Sequence, residues 1–146
     1  MAAGDWQLFG AAIERIAKGE IDFDAHTFRA LLTSAGYTPD LAAHDDLADV
    51  TNELAGGDYA RVALAGLSVT RSGTSVKIDC NDISFGTNVT LSAKWCLVFD
   101  DSHAGDALVA ALDLNTASGV AVLASTNGLF QITIDAAGWI EMAPPA

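Results

Sequence analysis

Residues 89–99 read Val-Thr-Leu-Ser-Ala-Lys-Trp-Cys-Leu-Val-Phe, or VTLSAKWCLVF. Val89, Leu91, Ala93, Trp95, Leu97 and Phe99 fall on one face of an extended chain, and Thr90, Ser92, Lys94 and Cys96 on the other. Successive side chains of a strand point to opposite faces. The stretch therefore predicts a strand with one buried face and one mostly polar face, as in an antiparallel sheet.

Working outward, the period of two recurs. Downstream, Asp100-Asp101-Ser102-His103-Ala104-Gly105 reads as a loop, and Leu108, Ala110, Leu112 and Leu114 as the next strand. Val120–Leu123 reads as a short strand or a loop contact. Phe130, Ile132 and Ile134 form a further strand, and Asp135-Ala136-Ala137-Gly138 turns the chain into Trp139–Met142. Upstream, Val62, Leu64, Leu67 and Val69 flank a kink at Gly66. Arg71-Ser72-Gly73-Thr74 then turns into Val76, Ile78 and Cys80, which is a hairpin pattern. Thr27–Thr33 is a strand, and residues 34–43, with Gly36 and Thr38-Pro39-Asp40, are a loop.

Two segments carry helical spacing instead. Trp6, Phe9, Ile13 and Ile16 recur at steps of three and four, which predicts a helix over Trp6–Lys18, capped by Asp5 and stopped by Gly19. Leu47, Val50 and Leu54 predict a short connecting helix within 44–54. The expected fold is mainly β: an antiparallel β-sandwich or partly open barrel with a short N-terminal helix and one short connecting helix. Residues 1–146 are expected to form a single β-rich domain, with a helical segment at 1–19 and a flexible Pro-containing tail at 143–146.

Composition narrows the function classes. Apolar residues make up 51% of the chain and charged residues 18%, too apolar for a disordered acidic tail. A domain of this length buries about 70% of its unfolded surface and folds without a staple. No apolar run is long enough to span a membrane, and the start, MAAGDWQLFG, carries no secretory pattern. The net charge of −12, from 19 acids and 7 bases, repels phosphate backbones, so no nucleic-acid partner is expected. Cys80 and Cys96 sit in apolar runs, where cysteine behaves as a small buried hydrophobe; whether they pair stays open.

His44-Asp45-Asp46, with Asp49, is the most suggestive chemical cluster. A zinc site needs three or four converging ligands, and neighbours on a helix point apart. Asp45 or Asp46 as an N-cap accounts for the cluster better. His26 and His103 sit beside strand ends without metal-motif spacing. Asp100, Asp101 and Asp106 lack the spacing of a calcium loop, and Asp22 and Asp24 lack a partner for acid–base work. Neither a nucleophile elbow nor a phosphate-binding glycine loop occurs. No catalytic, metal or cofactor residue is assigned. Trp95 is expected in the core. Trp6 and Phe9 are the candidate residues for a partner interface, through a docking N-terminal segment.

A run of local features then carries a resemblance. Lys18-Gly19-Glu20-Ile21-Asp22 is followed by Leu31-Leu32-Thr33-Ser34, Tyr37-Thr38-Pro39, Asp49-Val50-Thr51-Asn52-Glu53-Leu54 and, after a Gly-rich turn, Tyr59. This resembles a family of small virion structural proteins of tailed bacteriophages. In that family a similar strand, a Y-T-P turn and a D-V-T-N-E-V segment recur in this order. The resemblance covers most of the chain and is clearest from 18 to 62; Asp58 stands where the family pattern has Gly. It implies a virion component without enzymatic activity, placed on the outer capsid surface or in the tail. The first expectation is a capsid decoration (cement) protein that binds the major capsid protein as a homo-oligomer, a trimer or another ring. The alternatives are a tail or head–tail connector component, or a carbohydrate-binding β-sandwich on the virion.

Overall fold

A computed structural model describes residues 6–114 and 123–145. Among the described residues the architecture is mainly β and antiparallel, with one α-helix. A five-stranded sheet has the order β1-β9-β8-β2-β3. Its strands are β1 (Trp6–Leu8), β2 (Phe28–Thr33), β3 (Val62–Ala63), β8 (Trp95–Asp100) and β9 (Ala107–Asp113). A three-stranded sheet, β12-β5-β4, is built from β4 (Ser68–Ser72), β5 (Ser75–Asp79) and β12 (Ile140–Met142). Two ribbons complete the set: β7 (Val89–Ala93) with β10 (Leu123–Gly128), and β6 (Ile83–Ser84) with β11 (Gln131–Ile132).

The stretch that predicts one strand makes two. In β7 the alternation holds: Val89, Leu91 and Ala93 are buried, whereas Thr90 and Ser92 are exposed. At Lys94 the chain turns a corner and changes sheets, the manoeuvre by which sandwich corners are made. The Lys94 N–H donates to Thr33 O at 2.8 Å, and its ammonium pairs with Asp113 at 2.6 Å. Beyond the corner β8 is buried on both faces: Cys96, Leu97, Val98 and Phe99 are all within the core. Cys96 thus leaves the polar face assigned to it. Trp95, expected in the core, is half-buried, with the Lys94 ammonium 5.2 Å over its ring. β9 is likewise buried on both faces from Ala107 to Leu112.

The N-terminus also departs from the helical pattern. Helix α1 spans only Gly10–Ala17. Trp6–Leu8 is an edge strand on β9, in the register Trp6↔Leu112, Gln7↔Ala111, Leu8↔Ala110. Phe9 takes the N-cap position in an extended conformation, without a side-chain cap. Asp5, the expected cap, lies outside the described residues. The spacing of Trp6, Phe9, Ile13 and Ile16 was therefore no helical stripe, since Trp6 and Phe9 are buried and Ile13 is 55% exposed. Gly19 does end the helix, at φ +75°, a conformation glycine reaches at little cost.

The expected connecting helix at 44–54 shrinks to a 3₁₀ turn, Leu47–Asp49. The hairpin forms as read, with Gly73-Thr74 as its two-residue loop between Ser72 and Ser75. The strand expected through Ile134 ends at Ile132. Residues 120–122 of the ambiguous segment lie outside the described residues, and β10 begins at Leu123.

Trp139 joins the layers. Its backbone N–H donates to Ile78 O of β5 at 2.8 Å. Its ring is fully buried and meets Trp6 of β1, Phe28 of β2 and Phe23 edge-on, at 5.8–6.4 Å between centroids. Such edge-to-face pairs add about 0.5–1.5 kcal/mol each beyond area burial.

Candidate functional site

The histidine–acid cluster resolves into turn chemistry. The Asp49 carboxylate accepts the N–H groups of Asp45 and Asp46, at 2.8 and 3.2 Å, and these bonds hold its pKa below the usual carboxylate value. His44 Nδ1 accepts the Asp40 N–H at 3.1 Å and lies 2.9 Å from the Tyr37 hydroxyl, whose ring stacks on the imidazole. Burial, with Asp49 and Asp40 nearby, pushes the Tyr37 hydroxyl up to about 12, so it stays a donor. Arg15 of α1 clasps the loop by pairing with Asp46 at 3.0 Å and donating to Asp45 O at 2.7 Å. Asp46 holds the N-cap position of the 3₁₀ turn, as one of the two expected residues, but the carboxylate that accepts the backbone N–H groups is that of Asp49.

The other histidines are spent separately. His26 Nδ1 sits 2.6 Å from Asp100, whose fully buried carboxylate also accepts the Ser102 N–H at 2.9 Å. Thr27 N–H donates to Ser102 Oγ at 2.8 Å, so this cluster ties the start of β2 to the end of β8. His103 Nδ1 accepts the Gly105 N–H at 3.2 Å within its own turn. Asp22 Oδ1 accepts the N–H groups of Asp24 and Ala25 in a tight turn. Among the described residues, no three His, Cys, Asp or Glu side chains converge where a metal could sit.

One polar network carried no local sequence signal. Arg61 grips Glu53 with two bonds, at 2.7 and 2.8 Å, and Tyr59 donates to the same carboxylate at 2.6 Å. The Tyr59 hydroxyl accepts the Leu32 N–H at 3.2 Å, and the guanidinium lies 5.3 Å over Phe99. The Arg61 hydrogen bonds lower the Glu53 pKa, and burial together with Glu53 raises that of Tyr59. Asp58 accepts the Thr90 N–H at 2.8 Å and anchors β7.

Cys80 and Cys96 are free thiols. Burial pushes Cys80 up to about 12 and raises Cys96 further, so neither is a ready nucleophile. Trp6 and Phe9, the candidate interface residues, lie at 8% and 0% exposure inside the chain's own core. Trp6 is held against Trp139, and Phe9 plugs the start of α1.

One surface feature among the described residues is apolar and lies between α1 and the three-stranded sheet, in two adjoining lobes. One lobe, of about 510 Å³, is floored by Ile21, Phe23, Val76 and Ile78 and edged by Val69, Asp22 and Asp24. The other, of about 410 Å³, runs between Leu8, Ile13, Ala17 and Ala143, with Glu141 at its side. Ile16 and Met142 belong to both. Ile13 and Val69, at 55% and 45% exposure, stand at its outer margins. Single exposed apolar residues are normal on any surface, whereas adjoining apolar pockets with polar edges are the kind of feature that interaction sites use.

Fold and groove together define a mainly β chain with an acidic-edged apolar channel. Compared with known proteins, the chain matches no family model, no curated protein and no solved structure.

Proposed function

We propose that this chain is a bacteriophage virion structural protein that decorates the outer head surface by docking on the major capsid protein. The observation that carries the reading is the lobe beside α1. Ile13 is more than half exposed next to Leu8, Ile16, Ala17 and Met142, and Glu141 is the acid at its edge. Among the described residues Glu141 makes no ion pair, so the lobe suits an apolar segment carrying a basic residue. The −12 charge fits a position outside the shell, away from packaged nucleic acid. The resemblance across residues 18–62 points the same way. Individual contacts of this size are weak, and a lattice of sites multiplies them by avidity.

Two measurements test the reading. Heads lacking the protein should rupture at a lower temperature than complete heads, and adding purified protein back should restore the difference. Ile13→Lys should abolish that restoration while leaving the circular dichroism spectrum and melting of the free protein unchanged. Equal rupture temperatures with and without bound protein, or full restoration by the lysine variant, defeat the docking role.

A further inference from the structure

The edge strand β4 carries an inference of its own. All five of its residues, Ser-Val-Thr-Arg-Ser from 68 to 72, are exposed, and β5 is its only ladder partner among the described residues. The other edge of such a strand is a template for a further strand, and proteins usually blunt it with Pro, a bulge or inward charge. Neither Pro nor a bulge interrupts β4, whose five positions pair with Asp79 to Ser75 without a register shift, and its one charge is Arg71.

Side-chain placement says which strand fits. Val69 lines the groove together with Val76 and Ile78, so odd-numbered β4 residues face the groove side of the sheet. Arg71 shares that face and, like Arg29, makes no ion pair among the described residues, whereas Arg15, Lys18, Arg61, Lys77 and Lys94 do. Across the same groove from Val69 stand Asp22 and Asp24, which bind no base among the described residues.

We propose that β4 pairs antiparallel with β4 of a second copy about a two-fold axis through Thr70, fusing the two three-stranded sheets into one of six strands. In that register Ser68 opposes Ser72, Thr70 opposes Thr70 and Val69 opposes Arg71. No like charges face each other, and β-branched Thr pairs are favourable across strands. Residues directly opposite share a face, so each Arg71 enters the partner's groove beside Val69, within reach of the Asp22–Asp24 wall. The interface is isologous, so each such contact occurs twice. Its strand-addition chemistry is independent of the α1 lobe and of any virion partner.

Sedimentation of the full chain over a concentration series is the test. A monomer–dimer equilibrium with Kd on the order of 10 μM is expected, because one short strand and two salt-bridge clusters make a small interface. Arg71→Glu should weaken it at least about tenfold by setting like charges together. Adding Asp24→Lys to Arg71→Glu, which leaves the Asp22 turn intact, should recover part of the loss. Melting curves of each variant, matched to wild type, confirm that the fold is intact. A wild-type chain still monomeric at about 500 μM overturns the proposal, as does a dimer indifferent to Arg71→Glu or an Arg71→Glu, Asp24→Lys double variant without recovery.

Discussion

Replacing Cys96 and Ser92 in parallel tests the corner at Lys94. If residues 89–99 formed one alternating strand, the two positions would share a polar face and tolerate polar side chains equally. In the structure Ser92 is exposed and Cys96 is 0% exposed, flanked on its own strand by buried Leu97 and Val98. Cys96→Ser puts a hydroxyl where a weakly polar thiol was. Its desolvation without a new partner costs about 1–3 kcal/mol. For a chain of this size each kcal/mol moves Tm by about 2–4 °C, so a fall of roughly 2–12 °C, centred near about 6 °C, is expected. Ser92→Asp, on the solvent face of β7, should stay within about 0.5 kcal/mol, a shift of under about 2 °C. The assay is thermal unfolding by circular dichroism at neutral pH under reducing conditions. A Cys96→Ser protein that melts with wild type, or a Ser92→Asp protein that falls as far, refutes two-sided burial of β8.

Thiol titration gives an independent check: neither Cys80 nor Cys96 should react with a disulfide reagent at pH 8 in the native protein, and both should react in denaturant. Glu53→Gln should cost about 1–3 kcal/mol in urea unfolding at pH 7, because Arg61 and Tyr59 lose a charged acceptor. The sign of its pH dependence follows from the lowered Glu53 pKa. The network's contribution is present above the ordinary value of 4.5 and is lost as pH falls through the depressed folded value, so the wild-type advantage over Glu53→Gln should vanish in acid. Asp100→Ala should destabilise by about 2–4 kcal/mol, measured the same way, by stripping His26 and the Ser102 N–H of their buried acceptor.

What could be read in the sequence follows the reach of each signal. Period two found β2, β7 and β9 because each of these strands buries at least one whole face, and that burial is written in consecutive residues; the β4–β5 hairpin, whose first strand is wholly exposed, was legible from its Gly73-Thr74 turn. It did not find the corner at Lys94, where apolar positions continue on both sides and only the ladder partners change. Helical spacing misled at Trp6 and Phe9 because a three-residue step also joins a strand position to the residue that starts the next helix. Gly19 was legible because the requirement for positive φ is local. The Glu53–Arg61–Tyr59 network was not, since its members meet only after the 53–61 loop folds over β2. Trp6 and Phe9 are named as an N-terminal docking segment, but both side chains are buried in the chain's own core.

The chemistry-bearing side chains tell a consistent story about where function can reside. His44, Asp49, Asp58 and Asp100 each receive a backbone N–H, and His26 and Tyr37 are bonded in turn to Asp100 and His44. A buried or half-buried polar group that satisfies a backbone donor is costly to redeploy, because the donor it leaves behind loses its partner. Such groups fix loops that have no sheet of their own, which is why they gather at 22–27, 37–49 and 100–106. Recognition is then left to groups without that duty. On the α1 side these are Ile13, Met142 and Glu141; on the β4 edge they are Val69, Arg71 and an unpaired row of backbone groups. The two surfaces meet only at Ile16 and Met142. A copy engaged through β4 therefore still presents its α1 lobe, and a two-fold pair presents two. Self-association would raise the affinity for a repeating partner without changing a single contact to it.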